Sequence, residues 1–138
     1  MKKLRKWAGY LFPLLVVLLL VGLILSRVYQ PEPDLEPEVT VSAFEAIEFE
    51  GKTVRVCDRV ESADYLPDIN GQPTFLNLGR AYPEQLFTAV IWGEDRGRWN
   101  FPPEEYYLTR EICVTGRIGM HEGTPQIRVR SPDQIEFQ

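Results

Sequence analysis

The sequence is poor in the side chains that most often build catalytic and metal centres. Its 138 residues include one histidine, His121, and two cysteines, Cys57 and Cys113, which do not form a Cys-x-x-Cys motif. No glycine-rich phosphate-binding loop is present either. Metal sites and Ser-His-Asp centres usually need more than one such group, so the sequence nominates no nucleophile or general base. We therefore predict a protein that is not an enzyme and that uses no cofactor and no metal.

One segment lacks charge altogether. The run from Trp7 to Ser26 is apolar and is flanked by Lys6 and Arg27. A helix of about 20 residues crosses a bilayer core of about 30 Å, so we predict a single transmembrane helix over residues 7–27. The basic residues in 1–6 place the N-terminus in the cytoplasm and the rest of the chain outside. The alternative is a cleaved signal peptide, although the run is long for one and no Ala-x-Ala-like site follows it.

Charge divides the chain a second time. Between Gln30 and Glu38 the chain alternates proline with acidic residues, which predicts an extended, solvated linker over residues 28–40. Five of the 15 basic residues lie at or before Arg27, so the remainder of the chain holds ten basic residues and all 20 acidic ones, a formal charge near −10. Such a domain repels polyanions on average, and binding to nucleic acid would need a local basic patch.

Residues 41–138 suffice for one small hydrophobic core, and their alternating side chains predict five strands. In the first strand, Lys52–Val60, three valines share one side: Val54, Val56 and Val60. The other strands are predicted over 74–78, 87–92, 112–118 and 126–129, with a short helix starting at Ser42 and another at Pro102 between the third and fourth strands. This order is that of an OB-fold, so the fold class is all-β with short helices, a five-stranded Greek-key barrel after an N-terminal transmembrane helix.

Several segments resemble a known family. They are Gly51-Lys-Thr-Val-Arg-Val-Cys, Pro73-Thr-Phe-Leu-Asn-Leu-Gly, Tyr82-Pro, Phe87-Thr-Ala-Val-Ile-Trp, Val114-Thr-Gly-Arg-Ile, Gly123-Thr-Pro-Gln-Ile and Ser131-Pro-Asp-Gln-Ile. From Gly51 to Ile135 the chain resembles bacterial OB-fold domains of the tRNA-anticodon-like, nucleic-acid-binding type. The resemblance implies a binding module rather than a catalyst, and OB barrels bind nucleic acids, sugars and proteins alike. Asp58 departs from the family pattern, which usually has glycine there.

The two cysteines fall in the first and fourth predicted strands, which are antiparallel neighbours in an OB barrel. Both lie on the polar side of their strands, and same-side positions on adjacent strands can approach disulfide distance. An extracytoplasmic location favours oxidation. We predict a Cys57–Cys113 disulfide; a register offset of two residues would instead leave two separate thiols.

Aromatic and basic residues gather where OB-folds usually bind their ligands, across the second and third strands and the adjoining loops. Aromatic rings stack on bases and arginine contacts phosphate, which is what single-stranded nucleic acid requires. Two alternatives stay open: Phe75 belongs to the core, or Arg96 and Arg98 form surface ion pairs with Glu94 and Asp95. The candidate ligand-binding residues are Phe75, Asn77, Arg80, Tyr82, Trp92, Arg96, Arg98, Trp99, Arg128 and Arg130.

Two functions remain from the sequence. The first is a single-pass protein of the bacterial inner membrane whose extracytoplasmic OB-fold domain binds single-stranded DNA or RNA. The second is a protein- or glycan-interaction module of an envelope assembly, with no nucleic-acid binding, which the acidic charge favours. The membrane is a predicted partner in both.

Overall fold

The computed structural model describes residues 2–28 and 36–138, and the chain divides into two units, Met1–Asp34 and Leu35–Gln138. Helix α1 spans Lys2–Val28 in the first unit, where side chains are described at Leu11, Pro13 and 14–26. Over the described residues alone, which do not include the side chains of residues 2–10, no helix is long and apolar enough to cross a membrane. Most of the predicted linker over 28–40 lies outside the described residues.

The second unit is built from seven strands and four short helical turns. The strands are β1 (Thr40–Ser42), β2 (Thr53–Tyr65), β3 (Thr74–Leu78), β4 (Phe87–Ile91), β5 (Glu111–His121), β6 (Thr124–Arg128) and β7 (Ile135–Phe137). Two one-turn α-helices, α2 (Gly93–Arg96) and α3 (Pro103–Tyr106), connect β4 to β5. Two 3₁₀ turns cover Ala46–Phe49 and Pro132–Gln134.

Five of these strands close into a barrel. The long strand β2 pairs antiparallel with β5 through its first half and antiparallel with β3 through its second half. Strand β3 continues antiparallel to β4, β4 runs parallel to β6, and β6 returns antiparallel to β5. This circuit, with the helical connection between β4 and β5, is the connectivity of an OB-fold, so the predicted fold of the domain is confirmed.

The barrel interior follows the predicted alternation. The three valines of the first predicted strand are fully buried, as are Phe87 and Ile91. Strand β2 runs five residues beyond its predicted end, because a register shift between Val60 and Ser62 lets it leave β5 and pair with β3. The irregularity interrupts the apolar alternation, which explains why the sequence pattern indicated a shorter strand.

The segment before β2 differs from the predicted helix. Ser42 ends β1, a strand that was not predicted, and the helical turn that follows is 3₁₀ rather than α. The predicted capping contact is present, since a Glu45 carboxylate oxygen accepts from the Ser42 N–H at 2.9 Å and from its hydroxyl at 2.8 Å. These hydrogen bonds lower the pKa of Glu45 from its ordinary value. Asp58 holds the same segment, because its carboxylate accepts from the Ala43 N–H at 3.3 Å.

Candidate ligand-binding face

The outer surface of the barrel at β3 and β4 is where OB-folds usually take their ligands. Leu76 of β3 and Ala89 and Ile91 of β4 point into the core. Because successive side chains of a strand point to opposite faces, the alternate residues of both strands point outward. The cross-strand register places these outward residues in two rows, Ser62–Asn77–Thr88–Gln126 and Asp64–Phe75–Val90–Arg128. We call this surface the outer β3–β4 face.

The first row is a closed polar network. Asn77 donates its side-chain amide to the Ser62 hydroxyl and accepts from the Thr88 hydroxyl, both at 3.1 Å. The backbone N–H of Tyr82 donates to the same Ser62 oxygen at 2.9 Å. Asn77 is 2% exposed and Thr88 6%. Asn77 therefore holds the strands and the Tyr82 loop together and offers little surface to a ligand.

The aromatic side chains of this face remain accessible. Phe75 is half-buried in the middle of the second row and is not part of the core. Trp92 follows Val90 by two residues in extended conformation and is also half-buried, which extends the face toward α2. Tyr82 is 68% exposed beside the polar network. Phe75 and Trp92 thus lie along the second row, and Tyr82 lies in the loop that is attached to the first row at Ser62.

Arg128 lies on the face but is held by carboxylates. It forms ion pairs with Glu94 and, at 3.0 Å, with Asp95, both from the start of α2. Asp95 is buried, so this contact attaches α2 to the end of β6. Although burial acts to lower it, the hydrogen bonds that Arg128 donates to both acids raise the pKa of Arg128 above its ordinary value. The three side chains together carry one negative charge.

Arg96 is occupied inside the fold. Its guanidinium forms a bidentate ion pair with Glu104 of α3, with distances of 2.8 and 2.9 Å. It also donates a hydrogen bond to the Thr74 hydroxyl at 2.6 Å. It also stacks over the Tyr65 ring at 3.7 Å. Burial acts to raise the pKa of Glu104, but the hydrogen bonds and charge of Arg96 outweigh it and hold this pKa below the ordinary value. Arg96 therefore ties α2 to α3, β2 and β3.

The remaining candidate residues divide into one that is buried and three that are exposed. Trp99 is 6% exposed and packs in the core, so its ring offers no stacking surface. Arg98 is exposed and donates to the backbone oxygen of Arg130 at 3.0 Å, and Arg130 is exposed as well. Arg80 is exposed just after β3. Arginine contacts to a phosphate backbone would have to come mainly from these three residues.

A slot of about 280 Å³ opens at the Trp92 end of the face, lined by Gly71, Trp92, Glu94 and Arg128. Gly71 has φ +83°, and a Cβ there would come within 2.9 Å of the Trp92 indole carbons. Glycine thus permits both the turn and the close approach of the β2–β3 loop to the ring. The sequence signal for this slot was present in the Asn70-Gly71 turn, but nothing in the linear pattern placed that turn against Trp92.

Cys57 and Cys113 lie directly opposite each other on β2 and β5, with no register offset. The structure joins them in a disulfide with a Cα–Cα distance of 4.0 Å. The Arg55–Glu136 ion pair, at 2.8 Å, lies on the same outer surface, which is formed by β2, β5 and β7. In residues 36–138, no group of three or more histidine, cysteine or acidic side chains is arranged to hold a metal ion.

Comparison with known proteins adds little to this geometry. No protein-family model and no curated protein matches the chain. Among solved structures, the crystal structure of a Leishmania major Friedlin protein described as an aspartyl-tRNA synthetase is similar at 16% identity and a TM-score of 0.46. The similarity covers 78% of this chain and 22% of that one. The barrel connectivity itself, and not this similarity, defines the fold.

Proposed function

We propose that this chain is a non-enzymatic binding module that takes single-stranded nucleic acid across the outer β3–β4 face. The observation that carries the proposal is the series of accessible rings, Tyr82, Phe75 and Trp92, on the surface that OB-folds use for binding. Stacking on aromatic side chains is tolerant of sequence and contributes about 1–3 kcal/mol per base.

The charges of the domain determine how much of the affinity can come from phosphate contacts. Arg96 and Arg128 are paired with acids, so the phosphate contacts are left to Arg80, Arg98 and Arg130. The formal charge near −10 opposes a polyanion at long range. Affinity must therefore come from base contacts more than from phosphate contacts, unlike the many binders that rely on a basic groove.

A salt titration tests this proposal. The full chain in detergent micelles is titrated against a fluorescent oligothymidylate, with anisotropy recorded between about 50 and 200 mM salt. With at most three phosphate contacts, the slope of log K against log salt should be no steeper than about −2. Absence of binding at the lowest salt would remove the nucleic-acid function, and a much steeper slope would contradict the dominance of stacking.

A second candidate function is favoured by the paired arginines and the excess of acid: an extended protein segment or glycan of the cell envelope occupies the same face. Photo-crosslinking from position 82, in the middle of the exposed loop, separates the two. A protein or glycan adduct from position 82 but not from position 137, together with no oligonucleotide binding, would support this candidate.

We also propose that the module is tethered to the bacterial inner membrane by the run from Trp7 to Ser26, N-terminus inside. Apolar side chains of α1 are exposed on all sides: Leu18, Leu19 and Leu20 are consecutive and 63%, 60% and 53% exposed. A helix that is apolar all round suits a lipid environment. Protease added to intact spheroplasts should remove the C-terminal domain, and the intact mass of the purified protein should include residues 1–28. Protection of the domain, or loss of the N-terminal residues, would contradict the tether.

A further inference from the structure

The slot beside Trp92 contains hydrogen-bonding groups in addition to an aromatic ring, so it can distinguish one base from another as well as stack on it. The geometry points to a base-reading subsite that selects guanine, formed by Trp92, Glu94 and Arg128. This inference rests on the proposed nucleic-acid function and adds a preference for one base at one position.

The size of the slot fits one planar group. Its volume of about 280 Å³ lies just below the range of about 300–1,000 Å³ that is usual for small-molecule pockets. The Trp92 indole supplies an aromatic wall, and the backbone of Gly71 lines the slot without a side chain. A flipped-out base can enter and stack, as single-stranded bases do in sequence-specific RNA recognition.

The polar groups of the slot define a hydrogen-bonding edge. Arg128 holds Glu94 Oε1 and Asp95 Oδ2 with one nitrogen, Nη2, which leaves other N–H groups of the guanidinium as donors. Among residues 36–138, Glu94 Oε2 has no hydrogen-bond or ion-pair partner, and the Glu94 side chain is 71% exposed. The slot therefore presents one donor group next to a carboxylate, which accepts two hydrogen bonds.

Guanine alone among the common bases matches this edge. Its Watson–Crick side reads acceptor, donor, donor, from O6, N1–H and the 2-amino group, so the Arg128 guanidinium meets O6 and the Glu94 carboxylate meets the two donors. Adenine and cytosine each place a ring-nitrogen acceptor where the carboxylate would lie, and thymine places only one donor between two acceptors. The net negative charge of the Glu94–Asp95–Arg128 group suits a neutral base with two donors better than a phosphate.

The test uses the full chain in detergent micelles and nine-residue deoxyoligonucleotides, thymidine throughout except for one central guanine, hypoxanthine, adenine or cytosine. Guanine should bind on the order of tenfold more tightly than adenine or cytosine, as one bidentate contact provides. Hypoxanthine lacks the 2-amino group and should lie between. In Glu94→Gln the guanine preference should fall toward one, because the amide replaces an acceptor by a donor.

Glu48→Gln is the matched control, since it removes the same charge from the 3₁₀ turn before β2, outside the slot. It should keep the guanine preference. Retained binding of the adenine oligonucleotide by Glu94→Gln shows that this variant is folded. Equal affinity for the four oligonucleotides, or a preference unchanged by Glu94→Gln, overturns the guanine subsite while leaving the nucleic-acid function in place. If none of the four binds even at low salt, the nucleic-acid function itself fails.

Discussion

The two walls of the barrel differ in how the side chains on their outer surfaces are held. On the wall of β1, β2, β5 and β7, the surface is closed by the Cys57–Cys113 bond and by the Arg55–Glu136 ion pair. On the outer β3–β4 face, hydrogen bonds join Ser62, Asn77 and Thr88 and ion pairs hold Arg128, but the aromatic side chains stay accessible. The wall that contains the disulfide is thus cross-linked, and we call it the closed wall. The outer β3–β4 face leaves aromatic rings accessible to a ligand, and we call it the open face. Stability and binding should therefore respond to different substitutions.

On the closed wall, the largest expected effect comes from the disulfide. The disulfide joins residues 56 apart, and removing a cross-link that closes a loop of this length costs about 4 kcal/mol of unfolding free energy. The Cys57→Ser/Cys113→Ser double variant should lose this amount in denaturant unfolding of the full chain in micelles. Its affinity for oligonucleotide, measured at low temperature where it remains folded, should be unchanged, because neither cysteine lies on the outer β3–β4 face.

Reduced wild-type protein serves as the control for the serine substitutions and should match the double variant. Alkylation followed by mass measurement reports the thiols directly. If two thiols react without reductant, the bond does not form in the purified protein, and the contrast between the walls loses its covalent part.

The alternation of valines predicted the barrel because a half-buried strand has a period of two residues, and the barrel order then placed the two cysteines on neighbouring strands. The state of the arginines did not follow from the sequence. Arg128 meets Glu94 from 34 residues away, a contact that only the closed barrel creates. Trp99 sits in an irregular loop, where no period indicates which way a ring points. The sequence therefore lists the charged and aromatic residues of the candidate site, but which of them are accessible depends on tertiary contacts.

The second effect concerns the contact that supports the Trp92 end of the open face. Glu104→Gln should lower the unfolding free energy by about 2–3 kcal/mol, because it breaks a charge-assisted, half-buried pair with Arg96. Glu105→Gln is the matched control: it lies on the same helix, is exposed and has no ion pair among residues 36–138. Thermal unfolding of the three proteins measures the difference.

Acid should abolish that difference. The pKa of Glu104 is held below its ordinary value of 4.5, so its contribution is present above pH 4.5 and is lost as the pH falls through the lowered pKa of the folded state. Below that pH, wild type and Glu104→Gln should unfold alike. A gap that persists in acid would show that the variant perturbs packing rather than the ion pair.

The smallest effects on stability, and the largest on binding, are expected for the open face. Trp92→Ala and Tyr82→Ala should each weaken oligothymidylate binding by about 1–3 kcal/mol, roughly 5- to 150-fold, since each removes one stacking surface. Both rings are at least partly exposed, so thermal stability should change little. Anisotropy titrations and melting curves on the same preparations separate the two quantities.

Trp99→Ala gives the opposite pattern and completes the comparison. Its ring packs among buried residues of the core, so truncation should cost about 3–5 kcal/mol of stability. Affinity per folded molecule should hardly change, because no part of the ring faces a ligand. If Trp99→Ala abolished binding in protein that is still folded, while Trp92→Ala and Tyr82→Ala bound normally, the ligand would lie by the loop between α2 and α3, and the outer β3–β4 face would be only a second closed wall.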